Sequence, residues 1–256
     1  MTLHVHSWGP AAATRLFCLH GITASGGRFE RLATRRLQAF RVHAPDLRGH
    51  GRSPPEPPWD FDRHVADLIE TLDAHGVERA SIVGHSFGGR LALELAARHP
   101  ERAETLMLLD PAVWVPPHIA LARAEEHHAE RSFPTLDAAI DYRLTHNPHA
   151  SHEIVYQDTH AHLRLGDDGR YRQPFTRAAV IAAYGEMAKP PPLERVHVRS
   201  LLVRGLESEV TPEAVADACR DSLGSVVTVV RGGHNVLWDA FDETADAILD
   251  FLSQDP

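Results

Sequence analysis

Gly84-His85-Ser86-Phe87-Gly88 is a G-x-S-x-G pentapeptide between the apolar run Ala80 to Val83 and an Ala/Leu-rich stretch that starts at Phe87. A sharp strand-to-helix turn at such a motif holds the serine in strained backbone with its hydroxyl exposed, and the flanking glycines leave room for the turn. Ser86 would then stand at the amino end of a helix, where outward N–H groups favour developing negative charge. A serine in a glycine-rich connection can also simply cap the helix, so the strand–turn–helix setting carries the weight. The chemistry of an exposed, strained serine is nucleophilic attack, which needs a histidine to take the hydroxyl proton and N–H donors for the oxygen that becomes negative. Phe87, the residue after the serine, supplies one such N–H. Of the 19 histidines, His234 fits the base best, on the glycine-rich loop Gly232-Gly233-His234-Asn235 between a terminal strand pattern and the last helical one.

Holding these groups together requires alternating strands and helices. Apolar runs at Leu3 to Trp8, Arg15 to Leu19, Arg41 to Ala44, Ala80 to Val83 and Thr105 to Leu109 read as strands. Between them, helical patterns run from about Gly27 to Ala39, Phe61 to His75 and Phe87 to His99, the last stopped by Pro100. This is the pattern of a mostly parallel sheet flanked by helices, an α/β fold. After Asp110-Pro-Ala the character changes, as Pro116-Pro117, Pro134, Asn147-Pro148, Gly166-Asp-Asp-Gly169 and Pro190-Pro-Pro192 punctuate helical stretches. Residues 113–190 therefore read as an inserted helical cap, not as sheet, over a core made of 1–112 and 191–256. Strand patterns return at Val198 to Val203 and Val226 to Val230, and a helix from about Asp239 to Phe251 closes the chain. A cap so placed covers the carboxyl ends of the strands, where open parallel sheets bind their ligands.

Three further segments make a resemblance specific: Leu19-His20-Gly21-Ile22, Pro45-Asp46-Leu47-Arg48-Gly49-His50-Gly51-Arg52-Ser53 and Gly232-Gly233-His234-Asn235. With the pentapeptide, in this order and at this spacing, they resemble the serine hydrolases of the α/β-hydrolase fold, esterase- and lipase-like and capped. The likeness spans nearly the whole chain outside the cap. It implies a Ser–His–acid triad acting through an acyl-enzyme on a small ester, with Ile22 N–H as the second oxyanion donor beside Phe87 and no metal or organic cofactor. His20 and His85 would shape the loops around the site. Asp46 and Arg48 would pin the neighbouring turn. A serine rather than an aspartate at the turn argues against the dehalogenase and epoxide-hydrolase branches. Carbon–carbon bond hydrolases, thioesterases and non-catalytic ligand-binding modules on the same fold stay open.

The triad acid has two candidate places. In the family it most often follows strand seven at a Gly-x-x-Asp spacing, but here Arg204-Gly205-Leu206-Glu207-Ser208-Glu209 puts a serine there. Glu209 could substitute from one residue along, and Glu207 less readily. The alternative is Asp110, at the end of Leu106-Met107-Leu108-Leu109, close to where pancreatic-type lipases carry their acid. Both choices keep the order serine, acid, histidine. Asp110 ranks ahead of Glu209 because an aspartate at a strand's carboxyl end needs no register correction.

Composition bounds the rest. A net charge of −9 opposes binding to phosphate backbones, and the 25 arginines beside the single Lys189 are dispersed, so nucleic acid is not an expected partner. No window reaches the roughly 18 consecutive apolar residues of a membrane span, and the start Met1-Thr-Leu-His-Val-His lacks the marks of a secretory signal, so the expected location is cytoplasmic. Cys18 and Cys219 read as small buried hydrophobes. His127-His128 and His160-x-His162 read as solvated helix faces, not as metal ligands. Trp114, Ile119, Phe133, Tyr142, Tyr156, Phe175 and Tyr184 could line a cap pocket but read as packing residues. Oligomeric state is not legible.

Overall fold

The structure is a computed structural model that describes residues 2–254; positions 1 and 255–256 of the expected core lie outside the described residues. Seven strands form one sheet: β1 (Val5–Trp8), β2 (Arg15–Leu19), β3 (Arg41–Pro45), β4 (Ala80–His85), β5 (Ala103–Leu109), then, beyond a small hairpin of β6 (Arg164–Leu165) and β7 (Tyr171–Arg172), β8 (Ser200–Gly205) and β9 (Val226–Val230). The order is β1-β3-β2-β4-β5-β8-β9, and every pairing is parallel except β1 with β3. The helices are α1 (Glu30–Arg35), α2 (Phe61–Ala74), α3 (Phe87–Arg98), α4 (Pro117–Glu125), α5 (Leu136–His146), α6 (His152–His162), α7 (Arg177–Met187), α8 (Glu213–Leu223), α9 (Val236–Asp239) and α10 (Phe241–Ser253).

The central strands are apolar throughout because helices cover both faces. Alternation along each strand divides its residues between two clusters. Phe17, Leu19, Ile82, Leu106, Leu108 and Leu202 pack on one face with α3, whereas Leu16, Cys18, Val83, Met107, Leu109 and Val203 pack on the other with α10. Local signals start and stop the helices. The Asp60 carboxylate accepts the Arg63 N–H at 2.8 Å to cap α2, and Gly224 in left-handed conformation (φ 62°) ends α8.

The stretch between β5 and β8 is mainly helical, but it also holds sheet, contrary to the reading from pattern. The Gly166-Asp-Asp-Gly169 turn brings Arg164–Leu165 against Tyr171–Arg172, with Gly169 at φ 73°. Two-residue strands are too short to leave a period in the sequence. Both ends of this stretch are tied to one place in the core. The wholly buried Arg90 of α3 donates to the carbonyls of Val113, Lys189 and Pro190, the last two at 3.1 and 2.8 Å, and Val115 N–H meets Met187 O at 3.0 Å. From that stem it touches loops at the carboxyl ends of the strands: Gly51 N–H donates to Pro174 O at 2.7 Å, and the Asn235 amide to Asn147 Oδ1 at 2.6 Å. Among the described residues no helix is long and apolar enough to cross a membrane.

Candidate active site

Ser86 joins β4 to α3 with φ 54° and ψ −119°, a conformation that L-residues rarely adopt. The surroundings impose it: Ser86 N–H donates to Leu109 O at 3.1 Å, and Ser86 O accepts from Gly89, Arg90 and Ala112. Both glycines of the pentapeptide are sterically required. A Cβ on Gly88 would lie 2.1 Å from Leu19 O, and one on Gly84 would lie 2.5 Å from Gly88 O. The hydroxyl does not cap α3; Oγ lies 2.9 Å from His234 Nε2.

The imidazole of His234 spans two partners. Its Nδ1 is 2.6 Å from Asp110 Oδ2, so an ionised Asp110, which can only accept, assigns the proton to Nδ1 and leaves the Nε2 lone pair toward Ser86. The ring is held by backbone: His85 Nε2–H donates to His234 O at 3.0 Å, and Gly233 N–H to Asp239 Oδ2 at 2.9 Å. Asp110 is wholly buried, at φ 42°, just past the end of β5. Its Oδ1 accepts Gly205 N–H at 3.0 Å, and its Oδ2 accepts the Ser208 hydroxyl at 2.5 Å as well as His234.

Glu209, the competing acid, is not brought to the imidazole. Glu207 and Glu209 are both exposed and bond neither His234 nor Ser86, while the buried Ser208 between them faces Asp110. The turn after β8 points Leu206, Glu207 and Glu209 to solvent and Ser208 inward, so an extra methylene on a glutamate does not make up for the wrong direction. Ser208 is the residue that sequence reasoning missed. Its only signal was its place, at the spacing where the acid was expected.

Phe87 and Ile22 lie on the two loops that meet at the nucleophile. A Cβ on Gly21 would sit 3.0 Å from Ser86 Cβ, and among the described residues neither the Ile22 nor the Phe87 N–H has a protein acceptor. His20 fixes this loop: Nε2 accepts Leu47 N–H at 2.9 Å, so Nδ1–H donates to Gly21 O at 2.8 Å. Burial pushes the His20 pKa down to about 3 and the His85 pKa likewise to about 3, so both rings are neutral near pH 7. The Asp46 carboxylate accepts the N–H groups of Gly26 and Arg52 at 2.8 and 2.9 Å, and Arg48 grips Asp67 through two bonds of 2.6 and 2.8 Å.

Among the described residues, the group whose donor atoms converge closely enough to hold a metal is His4, His6 and Asp46, all within 4.8 Å of one another at the edge strand. Neither His127-His128 nor His160-x-His162 forms such a group among the described residues. The aromatic candidates between β5 and β8 spend their rings on neighbours. Tyr142 stacks on His146 with centroids 3.9 Å apart, Tyr156 lies tilted against His160 at 4.0 Å, and Trp114 Nε1–H bonds Ala188 O at 3.2 Å.

Comparison with known proteins bears on the family and the fold. The sequence model of a family described as the alpha/beta hydrolase fold matches residues 14–241. Lipase LipV of Mycobacterium tuberculosis is 32% identical over 235 residues, covering 84% of this chain and 82% of that protein. Esterase YbfF of Escherichia coli is 32% identical over 94 residues, 37% of each chain. The crystal structure of E-2-(acetamidomethylene)succinate hydrolase superposes with a TM-score of 0.87 over 98% of this chain and 95% of that one, at 24% identity, a likeness of fold.

Proposed function

The chain belongs to the α/β-hydrolase fold family, and from that premise we propose that it hydrolyses small carboxylic esters through an acyl-enzyme on Ser86, with His234 as general base and Asp110 as the acid of the triad. The observation that carries this reading is the double contact of one imidazole, 2.9 Å to Ser86 Oγ and 2.6 Å to Asp110 Oδ2. The likeness to a lipase over more than four fifths of the chain supports esters as the substrate class.

In this mechanism the Ser86 oxygen attacks the ester carbonyl while His234 Nε2 takes its proton. Charge that develops on the carbonyl oxygen is met by the N–H groups of Ile22 and Phe87, neither of which has a protein acceptor among the described residues. The imidazolium, balanced by the buried Asp110 carboxylate, returns its proton to the leaving alcohol. Water activated by the same histidine then releases the acid. Residues 113–190 serve as the cap that encloses the substrate, a role supported by their anchorage through Arg90 and their contacts at Gly51 and Asn235. We extend the reading to a cytoplasmic location, with which the two buried free thiols Cys18 and Cys219 are compatible.

A fluorophosphonate probe tests the proposal: rapid covalent labelling at Ser86, abolished in Ser86→Ala, is the expected result. A folded protein that resists labelling and turns over no p-nitrophenyl ester would overturn it in favour of a ligand-binding module.

A further inference from the structure

Apart from the triad, the structure holds a cavity of about 260 Å³ at the seam where α6 meets α1 and the α9–α10 turn. Its apolar lining comes from Leu32, Ile154, Leu237, Trp238 and Phe241. None of Ser86, His234, Ile22 and Phe87 reaches it, although Trp238 follows His234 by only four residues. Three arginines, Arg28, Arg31 and Arg35, also line it, against two carboxylates, Glu30 and Asp158.

The cations there are short of partners. Asp158, nearly buried, is shared by two guanidinium groups: Arg28 through Nε at 3.0 Å and Nη2 at 3.1 Å, and the buried Arg143 through Nη1 at 2.8 Å. One negative charge thus serves two positive ones. Arg143 Nη2 is buried with no hydrogen-bond partner, and so is Arg28 Nε, whose 3.0 Å approach to Asp158 Oδ1 is an ion-pair contact without hydrogen-bond geometry. His162, 3.7 Å from Asp158, adds no charge near neutrality, since burial pushes its pKa down to about 4. Among the described residues Arg31 has no hydrogen-bond acceptor; its guanidinium lies 3.8 Å from the centroid of Phe241, with Asp242 and Glu153 acting on it only through space. A guanidinium nitrogen buried without a hydrogen-bond acceptor, as at Arg28 Nε and Arg143 Nη2, is costly, and half-buried guanidinium groups over aromatic rings beside an apolar wall match a carboxylate attached to a short hydrocarbon.

We propose that this seam cavity is a binding site for a small organic carboxylate, held by Arg28 and Arg31 with its hydrocarbon part on Trp238 and Phe241. The carboxylate is either the far end of the ester substrate or a free acid. The first source rests on the esterase reading; binding itself does not.

Calorimetric titration of the full chain with sodium hexanoate, with hexanamide as its neutral counterpart, tests the site. Hexanoate should bind with one site per chain and hexanamide roughly tenfold more weakly or worse. Arg31→Gln and Arg28→Gln should each weaken hexanoate by about tenfold with the melting temperature held. If Arg28→Gln fails to fold, the partly exposed Arg31→Gln carries the test. Equal affinity for hexanoate and hexanamide, or hexanoate binding untouched in folded variants, overturns the proposal. The source follows from kinetics. A lower KM for mono-p-nitrophenyl adipate than for p-nitrophenyl hexanoate, equalised by Arg31→Gln, supports the substrate's own carboxylate; hexanoate that binds without raising the KM of the neutral ester supports a free acid. Absence of all ester turnover with the titration intact would sink the esterase reading and leave the site standing.

Discussion

β5 and β8 lie side by side and parallel, with Leu109 opposite Val203, and both end at the edge of the sheet where Ser86 stands. Either end could deliver a carboxylate to His234, yet they are built differently. β5 stops directly in Asp110, whose φ of 42° turns its buried side chain to the imidazole. β8 runs on into a turn whose one inward residue near the ring, Ser208, hydrogen-bonds Asp110. Where one strand end holds the charge, its neighbour holds the charge in place: Asp110 accepts from Gly205 N–H and Ser208 Oγ, both after or at the end of β8. On the proposed reading, the position of the acid is a property of two adjacent strand ends together, with a serine at the spacing expected for the acid.

The change that would break this comparison most severely is Asp110→Asn. Asparagine tolerates positive φ and keeps the shape, so the fold should survive. The amide cannot balance an imidazolium and favours the wrong tautomer, and kcat should fall on the order of 10,000-fold. Esterase kinetics alongside the circular dichroism spectrum check this; a loss below about tenfold would move the acid elsewhere.

Combining Asp110→Asn with Ser208→Asp tests whether the charge can cross from one strand end to the other. Ser208 Oγ is 2.5 Å from the oxygen that bonds His234, so a carboxylate one atom longer reaches toward Nδ1. The double variant should recover roughly a hundredfold over Asp110→Asn alone. No recovery would show that the backbone at residue 110, rather than the carboxylate alone, sets the geometry.

How much of this was legible depends on whether the information is local. The strand–turn–helix around Ser86 is written within ten residues, because two glycines and an apolar run are all the turn requires. The α/β architecture is legible for the same reason: alternating apolar runs and helical periods are local consequences of burial on both faces of a sheet. Which carboxylate reaches His234 is not local. It follows from a register that pairs residues 94 positions apart, Leu109 with Val203, and from a turn that sends Glu207 and Glu209 to solvent. The 164–172 hairpin and the Arg28–Asp158–Arg143 cluster escaped for like reasons: two-residue strands carry no period, and shared ion pairs between α5, α6 and the segment before α1 carry no spacing.

Ser208→Ala isolates the supporting half of the comparison. It removes one hydrogen bond to a charged group, worth about 1.5–3 kcal/mol, and because Val210 and Thr211 also donate to Ser208 Oγ, the turn after β8 loses its anchor as well. We expect kcat to drop roughly tenfold, with KM changed little, since the residue acts through Asp110 and not on the substrate. Ser208→Thr, which keeps the hydroxyl, should restore most of the rate. A KM effect without a kcat effect would assign Ser208 to binding.

The smallest expected effect is the most discriminating between the two strand ends. Glu209→Gln removes an exposed carboxylate with no contact to the imidazole or the serine, and surface charges of this kind are screened at ordinary ionic strength. Ester turnover should stay within about twofold of the parent. If Glu209→Gln instead lost activity comparably to Asp110→Asn, the turn after β8 would have to rearrange in the working enzyme, rotating residue 209 inward as Ser208 leaves. The two variants measured side by side therefore decide whether the acid belongs to the strand that stops or to the strand that runs on.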